Sequence, residues 1–452
     1  MASAKTACSH IWFLLFSVSI FYLVSTNNTA QATLQKVKPY VPPFISMYLP
    51  IQKDNVTLQY YTTVQWGSIG NYFDAVIDLG GEFLSLPCDS KDKSTTYRPI
   101  NCGSSNCRGA KKISNQYCRS PNDTCSVSYL NPFDDNSVLT GGLNKDGFVA
   151  IPSDGDRLYR EWQRTPHLLP FSCVNRSSLK GLARGFIETV AGTPTAMIGL
   201  GATKMSFAKN LATAFKLAPK FAICLPATEV GKAVLFLGGG PYWFNPPKEA
   251  SKWLDYTPLT INPSGEYFIG VKSMKIDKRV VNFDISLLSF NGETGVGGTK
   301  ISTSTPYAVL HSAIYKAVVD EFARQAAARN ITRVASVAPF GACFSSKSVA
   351  WTKAGPGVPV IDLELEGNGT SSTSVKWRIH GANSMLEAKK DVLCLGFVDG
   401  GSKPIASIVI GGLQLEDNLL EFDLKTLTLG FTSSLLPRDT NCSVDRYDFP
   451  DD

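Results

Sequence analysis

Asp78 is the residue around which chemistry can be built. It stands in Val76-Ile-Asp-Leu-Gly-Gly81, an acid at the end of an apolar run, followed by glycines that let backbone approach closely. One carboxylate can take a proton from water, but hydrolysis also needs a group that gives a proton to the attacked carbonyl. The second half of the chain carries an echo of this loop, Gly298-Thr-Lys-Ile-Ser-Thr-Ser-Thr305, with no acid in it. Asp74 shares a strand face with Asp78, but four residues at about 3.3 Å each place it roughly 13 Å away, too far to share a proton. Other chemistries find less support. The four histidines include His10 near the N-terminus, and no Gly-x-Ser-x-Gly elbow accompanies them. Gly292-Glu-Thr-Gly-Val-Gly-Gly298 has the glycines of a phosphate loop but neither the following helix nor Gly-Lys-Ser/Thr, so it reads as a turn. Cys102, Cys107, Cys118 and Cys125 lack the two-residue spacing of a zinc knuckle and have no histidine nearby, so no metal is expected.

The chain that must position Asp78 has 452 residues, 44% of them hydrophobic and 18% charged. That composition excludes disorder and supplies a core. The 37 glycines and 26 prolines are scattered, which excludes a collagen-like or low-complexity chain and favours short strands joined by turns. A net charge of +6 is too mild for a nucleic-acid footprint. Lys5, the apolar run Ile11 to Val24 and the small residues around Ala30-Gln-Ala32 form a secretory leader over residues 1–32. No later stretch is long and apolar enough for a membrane helix, so a secreted, extracellular or cell-wall protein is expected.

The cysteines fit that address. Apart from Cys8 in the leader there are ten: Cys88, Cys102, Cys107, Cys118, Cys125, Cys173, Cys224, Cys343, Cys394 and Cys442. An even number in an oxidising compartment reads as five bridges, the clustered four stapling one long loop and Cys343 with Cys394 closing another. Asn-x-Ser/Thr sequons at Asn55, Asn122, Asn175, Asn330, Asn368 and Asn441 are expected to carry sugars.

The periodicity is that of strands. Leu58–Trp66, Ala75–Ile77, Phe83–Leu86, Val234–Leu237, Tyr267–Val271, Ser407–Ile410 and Leu427–Phe431 are β-branched or aromatic runs bounded by Gly and Pro. Helices are expected at Ser206–Phe215, Ser312–Arg329 and Leu415–Leu420. An all-β chain of this size is too large for one barrel. Two β lobes are therefore expected, an N-terminal one over 33–255 and a C-terminal one over 256–452, with the proline-rich Pro241–Pro258 as linker. One loop from each lobe would meet in a central cleft.

Several long segments carry a specific resemblance: Val76–Gly81, Phe268-Ile-Gly-Val-Lys272, Gly297-Gly-Thr-Lys-Ile-Ser302, the whole of Ala327–Cys343, Val392-Leu-Cys-Leu-Gly396, Ile408-Val-Ile-Gly-Gly412 and Leu415–Leu419. Through them the chain resembles the plant extracellular dermal glycoproteins, which are grouped with basic seven-S globulin and the endoglycanase inhibitor proteins in a branch of the pepsin-like aspartic protease family. The resemblance implies the bilobal pepsin-like fold. Active members of that wider family use two aspartates sharing one proton, each in an Asp-Thr/Ser-Gly loop. On that frame Asp78 is the first aspartate, Leu79 stands for the bracing threonine, Ser302 for the second aspartate and Ser304 for its glycine. Tyr129 matches the flap tyrosine and Leu130 replaces the glycine after it. A hydroxyl cannot share a proton as a carboxylate does, so catalysis is expected to be lost. Asp78, Ser302 and Tyr129 then become relics, with Asp78 hydrogen-bonded to nearby backbone amides. The competing expectation is an aspartic endopeptidase with weak residual activity.

Members of the resembled family block plant-cell-wall glycanases by placing loops in the enzyme's acidic cleft. The resemblance puts Arg329 and Arg333 in one such loop. In the other, an arginine of related sequences falls at Ile405, leaving Lys403 as the cation of Gly401-Ser-Lys-Pro-Ile-Ala-Ser407. Ser85 stands where an aromatic is usual in Phe-Leu-Trp. The expected partner is thus a secreted glycoside hydrolase, a xyloglucan endoglucanase or a xylanase, with cell-wall polysaccharide or a small peptide as lesser candidates. No nucleic acid, membrane or cofactor is expected.

Overall fold

A computed structural model describes residues 44–444, apart from 68–71, 89–93, 111–117, 119, 135–136, 155–157, 159–166, 180–194, 230–231 and 369–373. The expected leader, residues 1–32, lies outside them. At the centre is an antiparallel layer to which both halves of the chain contribute. Its order is Ile151–Ser153, Ser46–Lys53, Ala233–Gly238, Lys220–Cys224, Leu419–Asp423, Thr428–Phe431 and Asp255–Ile261. The seam between the halves runs in register from Lys220 opposite Asp423 to Cys224 opposite Leu419. Its strands read as nearly continuous apolar runs because both faces are covered. Phe221, Phe236, Phe422 and Phe431 have no exposed surface, and the rings of Phe221 and Phe422 stack at 4.7 Å.

Each half adds a sheet with the same local design. In the first, Tyr72–Asp78 pairs antiparallel with Tyr60–Trp66 and parallel with Thr195–Gly199. In the second, Thr299–Ile301 pairs antiparallel with Tyr267–Ile269 and parallel with Ile408–Ile410. Parallel neighbours so far apart in sequence place the ends of Tyr72–Asp78 and Thr299–Ile301 in equivalent positions, and the candidate loops leave from those ends. Two four-stranded sheets flank the second half. One, built on Val271–Ile276, Ile361–Glu366 and Ser374–Ile379, carries a solvent-side ladder of opposite charges: Lys275 with Glu364, and Arg378 with Asp362.

Two of the three expected helices form. Phe207–Phe215 ends on Lys216 in the left-handed conformation. Ser312–Ala328 starts from His311, whose Nδ1 accepts the Ala313 N–H at 3.2 Å. The helix expected over Leu415–Leu420 does not. A single turn, Gly412–Leu415, is followed by the strand Leu419–Asp423. Leu415, Leu419 and Leu420 are all fully buried, and this spacing mimics a helical stripe when a strand is covered on both faces. Pro241–Pro258 is not a free linker either. It holds a small hairpin and the start of Asp255–Ile261, with Tyr242 and Phe244 buried and the Tyr242 hydroxyl donating to Glu421 Oε2 at 2.5 Å.

All ten cysteines are paired. Cys102–Cys118 and Cys107–Cys125 staple one loop, Cys88–Cys173 crosses the first half, Cys343–Cys394 the second, and Cys224–Cys442 fastens the chain's end across the seam. The six sequon asparagines, Asn55, Asn122, Asn175, Asn330, Asn368 and Asn441, are all exposed. Among the described residues, no helix is long and apolar enough to cross a membrane.

Candidate functional site

Asp78 ends its strand with Gly199 opposite it, and its backbone carbonyl accepts the Leu200 N–H at 2.8 Å. The loop after it folds back so tightly that a Cβ on Gly199 would lie 2.5 Å from the Gly81 carbonyl oxygen, so only glycine fits there. Ser302 leaves the second half in the matching way, its N–H donating to the Ile410 carbonyl at 3.0 Å. Thr303 joins the two loops. Its hydroxyl donates to the Ile77 carbonyl at 2.7 Å and accepts the Leu79 N–H at 3.1 Å. The reciprocal hook is missing, because Leu79, in the equivalent place, has no hydroxyl and turns into the core.

The Asp78 carboxyl is 4% exposed and accepts the Gly80 N–H on Oδ1 at 2.9 Å, in accord with its expected backbone bonding. The Ser302 hydroxyl is engaged with that of Ser304 at 2.8 Å. A second acid does come near. Glu266 Oε1 and Asp78 Oδ1 lie 3.5 and 3.6 Å from the point where a Cβ on Gly80 would sit. Glu266 is not a proton-sharing partner, however. Its Oε1 is ion-paired with Lys300 and its Oε2 accepts from Asn262 Nδ2 at 2.7 Å. Burial pushes the Asp78 carboxyl up to about 6; the Gly80 N–H and the Lys300 charge pull it down, and Glu266 raises it. A carboxyl raised in this way adds stability that is fully present below its unfolded value and lost as pH rises through about 6. Replacing Lys300 by Met removes a compensating cation, so Asp78 is expected to titrate higher still. Carboxyl-carbon NMR titration of wild type and variant reads this directly; an unmoved or lowered midpoint would show that Lys300 does not act on Asp78.

Tyr129, on the hairpin formed by Ser126–Leu130 and the start of Val138–Val149, packs its ring 4.8 Å from that of Phe83 and shares a 2.5 Å hydrogen bond with Ser85. The small residue at 85 thus holds the tyrosine hydroxyl in the core. Burial raises Tyr129 to about 12, so it stays neutral. Leu130 points the other way and is 67% exposed.

The three expected binding cations differ in their freedom. Arg329, just past the end of Ser312–Ala328, is tied to Asp277 Oδ2 at 2.5 Å and to the Val358 carbonyl at 3.0 Å. Arg333 is exposed and donates to the Gly341 carbonyl at 3.2 Å. Lys403 is exposed on a loop whose backbone is pinned. The Gly297 N–H donates to the Ile405 carbonyl at 2.7 Å, the Ser312 N–H to that of Gly401 at 2.9 Å, and the His311 N–H to that of Ser407 at 2.8 Å. Beside it Ile405 is 74% exposed.

Sequence reasoning named Asp78, Ser302 and Tyr129 but not the Glu266–Lys300 pair or the role of Thr303. Thr303 had a signal, since it sits inside the echo of the first loop. Glu266 had none, because only the folded chain brings it to Gly80.

This geometry, a paired β design with one loop from each half hooked together at the centre, agrees with the comparisons. The xylanase inhibitor N-terminal family matches residues 60–239 and the xylanase inhibitor C-terminal family residues 266–433. The chain belongs to this family, in the same group as the basic 7S globulins and gamma conglutins, and has the bilobal pepsin-like fold. It is 41% identical to "Probable aspartic proteinase GIP2" of Nicotiana benthamiana, covering 97% of this chain and 98% of the relative. Among solved structures it is 42% identical to edgp, with TM-score 0.79 over 89% of this chain and 98% of that one. It is 30% identical to soybean basic 7S globulin, with TM-score 0.72 over 88% and 99%.

Proposed function

We propose that this protein is a secreted, non-catalytic binding protein of the plant cell wall that blocks a glycoside hydrolase, a xyloglucan endoglucanase or a xylanase. The observation that carries this reading is the unequal pair of loops. Asp78 ends one strand and Ser302 directly follows the equivalent strand, so the first loop offers an acid and the second only a hydroxyl, already engaged with Ser304. Water activation between two carboxylates has no second carboxylate to use there, since Glu266 is held by Lys300. Ser302 thereby takes the place of the second catalytic aspartate, and Asp78 and Tyr129 are retained for structure.

Binding falls to the second half. Arg333 and Lys403 present positive charge suited to a cleft lined by two acids, and the pinned loop under Lys403 and Ile405 loses little freedom on docking. Arg329 holds Asp277 and supports the loop. Lysine lacks the bidentate fork of arginine, so the target differs from that of relatives with an arginine in this loop. Secretion follows from the leader and the five bridges, and the exposed sequons are sites for sugars in the extracellular space.

The relative named as a probable aspartic proteinase supports a second reading, an endopeptidase with residual activity. One pair of assays separates them. Purified protein is expected to inhibit one of a panel of xyloglucanases and xylanases stoichiometrically and to co-elute with it. It is expected to leave an unfolded protein uncut at about pH 4, where a shared-proton dyad works. Cleavage blocked by a pepstatin-type compound would establish the second reading; no inhibition across the panel would overturn the first.

A further inference from the structure

We propose that Glu416 makes the junction between the two halves an acid-tightened clasp, firmer when its carboxyl is protonated and looser when it is charged. The junction joins the hairpin of Ser46–Lys53 and Tyr60–Trp66, in the first half, to the turn and loop 412–418 in the second. Glu416 Oε1 takes both the Lys53 ammonium at 2.6 Å and the Tyr60 hydroxyl at 2.7 Å. Its backbone is fixed as well, its carbonyl accepting from Asn383 Nδ2 at 2.7 Å and Asn418 Nδ2 at 2.9 Å. Tyr60 lies against the same turn so closely that a Cβ on Gly412 would sit 2.6 Å from its ring.

The charges at this junction do not balance. Glu416 and Asp417 are adjacent and buried, at 4% and 6% exposure, and Lys53 is the cation that acts on both. Asp417 has its own support, accepting the Cys442 N–H at 3.0 Å. With both carboxyls charged, the pair therefore exceeds Lys53 by one negative charge. The other titratable groups facing it are Tyr60 and Tyr307, both pushed upward by burial and by Glu416 itself, so neither supplies a compensating charge. Burial, with the Asp417 charge added, raises Glu416 to about 7, against the pull of Lys53 and Tyr60.

The sign follows from linkage. A carboxyl whose folded value is raised contributes stability that is fully present below its unfolded value, 4.5, and is lost as pH rises through about 7. Acid thus leaves one buried carboxylate beside the one lysine, and neutral solution restores the second.

The test is thermal unfolding of the full chain from pH 4.5 to 8. Wild type is expected to lose about 1–2 °C of Tm between pH 6 and 8. In Glu416→Gln, which keeps the Tyr60 contact without the charge, that part of the profile flattens. Lys53→Met removes the cation and steepens it. Asp78→Asn, the control, flattens the profile below pH 6.5 and leaves the upper part alone. An unchanged slope above pH 6 in Glu416→Gln, or a shallower one in Lys53→Met, would overturn the proposal. Should Lys53→Met not fold, the Glu416→Gln slope still decides.

Discussion

Thr303→Val should lower stability by about 2–4 kcal/mol although it keeps the shape of the side chain. The hydroxyl meets two backbone groups of the opposite loop, the Ile77 carbonyl and the Leu79 N–H, and all three are buried. Valine leaves both unpartnered, and each orphaned group costs about 1–3 kcal/mol. At about 2 cal/mol/K of unfolding entropy per residue, a chain of this length should lose roughly 2–4 °C of Tm. Thr303→Ser keeps the hydroxyl and should cost less than about 1 kcal/mol. Calorimetry on the three proteins checks the ordering. Equal losses in Val and Ser variants would mean that the methyl, not the hook, holds the loops. A protein with reciprocal hooks would share this cost between two threonines. With Leu79 in place of one, the coupling rests on Thr303.

Removing the Cys224–Cys442 bridge is the larger change. It closes a loop of 218 residues, against 16 for Cys102–Cys118. In the chain-entropy account the long loop gives about 5 kcal/mol and the short one about 3. Cys224→Ala with Cys442→Ala should therefore lower Tm by roughly 5–6 °C, and the corresponding pair at Cys102 and Cys118 by less. Both Cys224 and Cys442 are buried, so alanine leaves no unpaired thiol and creates only a small cavity. Equal effects from the two deletions would show that native packing, not loop length, sets the contribution.

What the sequence revealed follows from which forces are local. Strands such as Tyr60–Trp66 and Leu84–Pro87 announce themselves because alternation and β-branching act over a few residues. The matching of the Asp78 and Ser302 loops was read from short segments too, Val76–Gly81 and its weak echo Gly298–Thr305. Leu415–Leu420 was misread because a buried turn ending at Leu415 and a buried strand starting at Leu419 happen to set leucines at helical spacing. The Glu266–Lys300 pair and the meeting of Lys53 with Glu416 depend on residues 34 and 363 positions apart. No pattern within a window reaches that far.

The seam at Lys220–Cys224 and Leu419–Asp423 bears on how such a chain can be divided. The matching halves suggest two modules that could be cut apart and shuffled, yet Leu419–Asp423 completes the layer begun by Lys220–Cys224. A piece stopping at residue 255 would leave Lys220–Cys224 with a bare row of amides and carbonyls, an invitation to pair with strangers. The strand pairing of one half is repeated in the other, while the layer they share is closed only by the whole.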